Sequence, residues 1–140
     1  MADSTIEEGI IEALTGESTI TDICGTRIYP MKAPQDAALP YITYQQISAD
    51  RDHVLDGPSG LAINRYQFNH WATTYGGAKR LFEAVRKFFD GYTGTVASRQ
   101  IQAVQSQTET DILNQKDGAD VMDRYGKSMD YLIGFQEPTS

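Results

Sequence analysis

An α+β layer is the fold this sequence predicts: about four mainly antiparallel strands with two amphipathic helices on one sheet face, in the order α-β-β-α-β-β. Three stretches predict it. Between Leu61 and Ala72 the residues alternate, with Tyr66, Phe68, His70 and Ala72 on one side and Arg65, Gln67, Asn69 and Trp71 on the other, the pattern of a half-buried strand. The period then changes. Ala78, Leu81, Phe82, Val85, Phe88 and Phe89 recur at three- and four-residue steps and share a helical face, while Lys79, Arg80, Glu83, Arg86 and Lys87 take the opposite one. Near the end of the chain, Met129, Tyr131, Ile133 and Phe135 alternate with Ser128, Asp130, Leu132 and Gly134 as a second clear strand.

The remaining elements follow in chain order. Ser4-Thr5-Ile6-Glu7 has the form of a capping box, and Ile6, Ile10, Ala13 and Leu14 form one apolar helical stripe that Gly16 interrupts. Ser18 to Cys24 is compatible with a further helical turn closed by Gly25. Pro30, Pro34 and Pro40 make the next segment semi-rigid and place it across the surface. Tyr41 to Ser48 is rich in aromatic and β-branched residues and reads as a strand. Ala49 to Gly60 reads as a charged loop ending in an Asp-Gly-Pro turn signal, longer than a hairpin needs. Thr73 or Thr74 can cap the central helix and Gly91 can end it. Val96 to Gln107 offers a weaker strand around Ile101, Ala103 and Val104, and Thr108 to Gly126 reads as an acidic loop.

One domain over residues 1–140 accommodates these elements. The net charge of −7 and pI near 4.7 oppose a surface that grips nucleic acid, because such affinity comes from neutralising phosphates. An acidic wall can still border DNA that must slide past it. No run approaches the ~20 apolar residues of a membrane span, and the acidic start of the chain lacks the order of a signal peptide. The single cysteine, Cys24, lies among apolar neighbours and reads as a small buried hydrophobe.

Motifs for chemistry are absent or incomplete. Gly126-Lys127-Ser128 resembles the end of a phosphate loop, but the required earlier glycine is Val121. His53 and His70 lack zinc-site spacing, and no nucleophile arrangement can be assigned to His70. The aspartates between Asp111 and Asp123 do not follow a calcium loop. Tyr41, Tyr44, Tyr125 and Tyr131 have no accompanying basic patch and read as sheet and interface residues. No cofactor, metal or catalytic residue is therefore expected.

The order and spacing of several short motifs carry a resemblance. Arg27-Ile-Tyr-Pro, Ala33-Pro-Gln, Leu39-Pro-Tyr-Ile-Thr-Tyr, and Arg65-Tyr-Gln-Phe-Asn-His-Trp-Ala with Tyr75 and Ala78 opening a helix resemble the tail-completion proteins of long-tailed bacteriophages, which include tail terminators or tail-to-head joining proteins. The similarity spans about Ile10 to Phe135; His70 departs from the aliphatic residue expected on that strand face. The resemblance implies a structural virion protein at the head-proximal end of the tail, assembled in the bacterial cytoplasm. It implies a homo-hexameric ring that caps the finished tail tube, meets the tail tube protein and the head-completion or connector protein, and lets DNA pass without specific binding. The alternatives are a subunit of the head-completion layer and, from a different class, a small hydrolase using His70.

Long polar loops suit a ring subunit. The candidate contact or lumen-facing residues are Arg51, Asp52, His53 and Asp56 in the first loop and Asp111, Asp117, Asp120 and Asp123 in the second.

Overall fold

A computed structural model describes residues 6–34, 37–54, 57–96, 99–114 and 124–136. The α+β class holds, with more elements than the sequence signals: the described residues form three helices and a six-stranded mixed sheet instead of two helices and about four strands. In chain order these are α1 (Ile6–Thr15), α2 (Ser18–Cys24), β1 (Ile28–Pro30), β2 (Tyr41–Val54), β3 (Gly57–Ala72), α3 (Tyr75–Phe89), β4 (Gly94–Val96), β5 (Arg99–Asn114) and β6 (Arg124–Gln136). The sheet order is β1-β2-β3-β6-β5-β4, antiparallel except for the parallel β1–β2 edge. The two added strands are three-residue edge pieces, too short for alternation to reveal them. Among the described residues no helix is long and apolar enough to cross a membrane.

Both long loops of the sequence reading are corrected. Residues 49–54 continue β2 and 57–60 begin β3, with Val54 opposite Gly57, so the supposed first loop is mostly paired strand. Thr108 to Asn114 likewise continues β5, and Arg124 to Gly126 already belongs to β6. Polar residues conceal these strands because main-chain ladder bonds hold a hairpin whose faces carry no apolar alternation. The capping box at Ser4 lies outside the described residues.

The core forms between one sheet face and the helices. Tyr66, Phe68 and His70 of β3, Ile42 and Tyr44 of β2, and Met129, Tyr131, Ile133 and Phe135 of β6 are buried on that face, as the alternation requires. Ile10 and Leu14 of α1, Ile20 and Cys24 of α2, and Leu81, Phe82, Val85 and Phe89 of α3 pack against it. Phe88 is only half-buried and lies at the rim of the core. Burial pushes the Cys24 thiol above its ordinary pKa, as expected of an inert core cysteine.

Helix α3 starts where the sequence indicates. Thr74 Oγ1 accepts the Gly77 N–H at 3.0 Å, satisfying one of the free amide groups of the first turn. After Asp90, Gly91 takes a positive φ of 81°, which lets its N–H reach the Val104 carbonyl at 2.8 Å and turns the chain from helix to sheet edge. Phe89, just before that turn, places its ring edge-on to Phe68 and Tyr131, with centroids 6.0 and 5.2 Å away. Phe89→Ala should therefore cost about 3–5 kcal/mol in urea unfolding, because a fully buried ring is removed from between two strands and a helix. Phe88→Ala, at the rim, should cost markedly less.

Candidate functional site

The two segments singled out in the sequence lie at opposite ends of the sheet. The central β3–β6 ladder runs from Leu61 opposite Gln136 to Ala72 opposite Tyr125, a span of roughly 35 Å at strand rise. The β2–β3 hairpin closes beyond the Leu61 end and the β5–β6 hairpin beyond the Ala72 end. Arg51, Asp52 and His53 are on β2 in the first hairpin, and Asp111 is on β5 near the second. Asp56, Asp117, Asp120 and Asp123 lie outside the described residues. Of the candidates, the described ones therefore stand apart: Arg51, Asp52 and His53 towards one end of the sheet and Asp111 towards the other.

Asp111 has a specific partner. Lys127, directly opposite it in the ladder, extends its ammonium to Asp111 Oδ1 at 2.8 Å and Glu109 Oε2 at 3.1 Å, and lies 5.3 Å from the centroid of the Phe82 ring. The Tyr75 hydroxyl donates to Asp111 Oδ2 at 3.3 Å. Its bond to Lys127 holds the Asp111 carboxyl below its ordinary pKa, and the same bond, with Glu109, raises that of Lys127. The cluster fastens the β5–β6 hairpin to the first turn of α3. A Gly-Lys-Ser sequence invites a phosphate reading, but here the lysine is nearly buried and bonded to carboxylates in a strand.

His70 is completely buried on the core face of β3. Its Nδ1 is 2.7 Å from the Lys127 carbonyl oxygen, so Nδ1 carries the hydrogen and donates it, and the ring meets Phe82 edge-on at 5.5 Å. Among the described residues Nε2 has no hydrogen-bonding partner. Burial lowers the pKa to about 4 although the carbonyl bond favours the charged form. This is a neutral packing residue with no route to a substrate in this conformation, and the geometry gives the His70 hydrolase reading no support. Among the described residues no three His, Cys, Asp or Glu side chains are placed to hold a metal ion.

The opposite sheet face is polar and partly self-covered. Arg65 Nε donates to Asp130 Oδ2 at 3.0 Å, and Gln67 Nε2 to Asp130 Oδ1 at 3.3 Å, spanning β3 and β6. Trp71 donates its indole N–H to Thr43 Oγ1 at 3.1 Å, and its ring lies so close over Gly126 that a Cβ there would sit 2.8 Å from the indole Cζ3. Gly126 is thus a place where the ring needs bare backbone. Ile47 and Ile63 remain exposed on or beside this face.

A third surface was not evident in the sequence because it joins two helices. Between α2 and α3 runs an open groove of about 950 Å³. Ile23, Ala84 and Phe88 provide its apolar lining, and Lys79, Arg80 and Lys87 line it together with Glu17 and Glu83. Glu83 is bonded by Arg86, Nη2 to Oε1 at 2.7 Å, so its charge is locally offset. A protein of net charge −7 therefore carries a basic surface along one helix.

Comparison with known proteins gives two findings. The sequence pattern of a family described as "Tail completion protein gp17" matches residues 8–123. Among solved structures, a chain from one described as "Virion of native gene transfer agent (GTA) particle" has a similar fold, with a TM-score of 0.71 and 12% sequence identity over 91% of this chain and 92% of that one. No curated protein matches the sequence.

Two outcomes follow from the site geometry. Gly126→Ala should destabilise the domain by about 1–3 kcal/mol through the clash with Trp71, and a double-mutant cycle in urea should show that cost shrinking by at least about half in a Trp71→Leu background. The histidine sets a pH dependence. The unfolded chain takes up a proton on His70 near pH 6.5 that the native state refuses until about pH 4. Stability should consequently fall by about 3 kcal/mol as pH drops through that window. His70→Leu, less stable near neutrality for want of the Lys127 carbonyl bond, should lose the slope between pH 6.5 and 4.5, above the range where Glu83 and Asp111 protonate.

Proposed function

Because the chain belongs to the tail completion protein gp17 family, we propose that it is a structural subunit that caps the finished tail tube as an oligomeric ring, joins the tail to the head connector and leaves a channel for DNA. The family match over residues 8–123 carries this reading. The fold shared with a chain of a gene transfer agent virion structure supports it at the level of architecture. So does the geometry of the sheet. A joining ring must meet one partner on each side, and this subunit has paired hairpins at opposite ends of one rigid sheet.

In this reading one hairpin end faces the tail tube protein and the other the head-completion or connector protein. In the same reading the acidic residues of the two segments singled out in the sequence, including Asp52, Asp56, Asp117, Asp120 and Asp123, keep passing DNA from binding the wall by like-charge repulsion. The ring is a homo-hexamer located at the head-proximal end of the tail.

Deleting the protein should yield particles with tail tubes of uncontrolled length and unjoined heads, visible by electron microscopy, and the purified chain should form six-fold rings by native mass spectrometry. Tails of normal length beside leaking heads would instead place the subunit in the head-completion layer. A protein absent from purified particles would end both readings.

A further inference from the structure

We propose that the groove between α2 and α3 receives the β2–β3 arm of a second copy of this chain, so that each subunit of the assembly inserts its arm into its neighbour. The inference rests on the ring reading above and specifies the contact that would build it. Beyond the Leu61–Gln136 end of the central ladder, His53 of β2 pairs with Pro58 of β3 and Val54 with Gly57, with no third strand beside them among the described residues. An isolated two-stranded hairpin is marginal in water, so an arm with no third strand beside it among the described residues gains from a surface to lie on. The other hairpin differs: Lys127, Asp111 and Tyr75 tie it to its own α3.

The chemistry of arm and groove is complementary. In sequence the arm and the residue leading into it read Arg51-Asp-His-Val-Leu-Asp56, two adjacent apolar residues with Asp52 before them and Asp56 after. The groove offers an apolar lining of Ile23, Ala84 and Phe88 flanked by Lys79, Arg80 and Lys87, against Glu17 and a Glu83 that Arg86 already bonds, so cations outnumber the lining carboxylates. Its volume of about 950 Å³ accommodates several side chains. Arm and groove are different surfaces of the chain, so the contact is head-to-tail, the class of contact that closes into a ring when the rotation permits. Opposite charges around an apolar contact also fix register and disfavour a groove-to-groove pairing, in which the surplus cations would face one another.

The test uses the full-length chain. Lys79→Glu with Lys87→Glu, or Asp52→Lys with Asp56→Lys, should each weaken self-association at least about tenfold in sedimentation velocity, with the circular dichroism spectrum unchanged, and the four substitutions together should restore it. A Val54→Cys chain mixed with an Ala84→Cys chain should form a disulfide-linked dimer that neither forms alone. Rings that assemble normally in both charge-reversed variants without cross-linking would overturn the arm contact while leaving the ring intact. Weakening by Asp117→Lys with Asp120→Lys alone would assign the groove to the other hairpin and overturn the proposal. A wild-type chain that stays monomeric at all concentrations and in particles would overturn both the contact and the ring.

Discussion

The edge-to-face packing of Phe89 on Phe68 and Tyr131 is the contact on which the architecture depends. Phe68 belongs to β3 and Tyr131 to β6, the two central strands, and each of those is one half of a long hairpin. One ring from α3 therefore joins both hairpins to the helical layer. Phe68 and Tyr131 also meet each other edge-on at 5.7 Å, and Tyr44 stacks on Phe68 at 5.8 Å, extending the aromatic floor to β2. Aromatic pairs in these geometries contribute about 0.5–1.5 kcal/mol each beyond the area they bury. The gain is orientational as well, because an edge-to-face contact tolerates little rotation of the helix over the sheet.

With that layer fixed, the rest of the sheet can be polar. Strands β2, β3, β5 and β6 each exceed twelve residues, longer than the five or six typical of globular domains, and the excess lies in segments that lack an apolar stripe. Ladder hydrogen bonds hold these parts, with the Lys127–Asp111 ion pair on the β5–β6 side. The result is a sheet with a dense apolar centre whose long strands run on into segments of polar sequence. Two buried polar groups in the centre, His70 and the Tyr131 hydroxyl, have an atom without a hydrogen-bond partner among the described residues. His70 packs edge-on to Phe82 and Tyr131 edge-on to Phe89, contacts in which the packing gain of an aromatic body offsets the unmade bond of its polar tip.

Charge is distributed unevenly over this body. Lys79, Arg80, Arg86 and Lys87 give one helix four of the chain's twelve basic residues, whereas the segments at the hairpin ends are rich in aspartate. Such segregation gives a molecule of net negative charge a surface that can attract another copy of itself. It is also compatible with a wall past which nucleic acid moves, since the acidic segments repel phosphate. The proposed assembly and the proposed DNA passage thus draw on the same asymmetry without requiring a catalytic or metal site.

The sequence by itself determined the elements that bury an apolar face. The alternation of Tyr66, Phe68, His70 and Ala72, the stripe from Ala78 to Phe89 and the run from Met129 to Phe135 all appear in the structure with the predicted side inward, and Thr74 and Gly91 bound the helix as their chemistry requires. The family resemblance was legible too, through the order of short motifs. What only the tertiary structure decided was everything held by main-chain pairing or by contacts between distant segments. The paired segments 49–54, 57–60, 108–114 and 124–126 read as loops because main-chain pairing of polar residues leaves no periodic apolar signature in the sequence. Lys127 read as a broken phosphate motif because its partners, Glu109 and Asp111, are brought opposite it only by strand register. The α2–α3 groove joins Ile23 to Ala84 and Phe88 across sixty residues of chain, and no local pattern encodes a surface that exists only when two helices lie side by side. Local periodicity records which face of an element leaves water; register and helix pairing arise when the whole chain closes, and they decided where the candidate interaction surfaces lie.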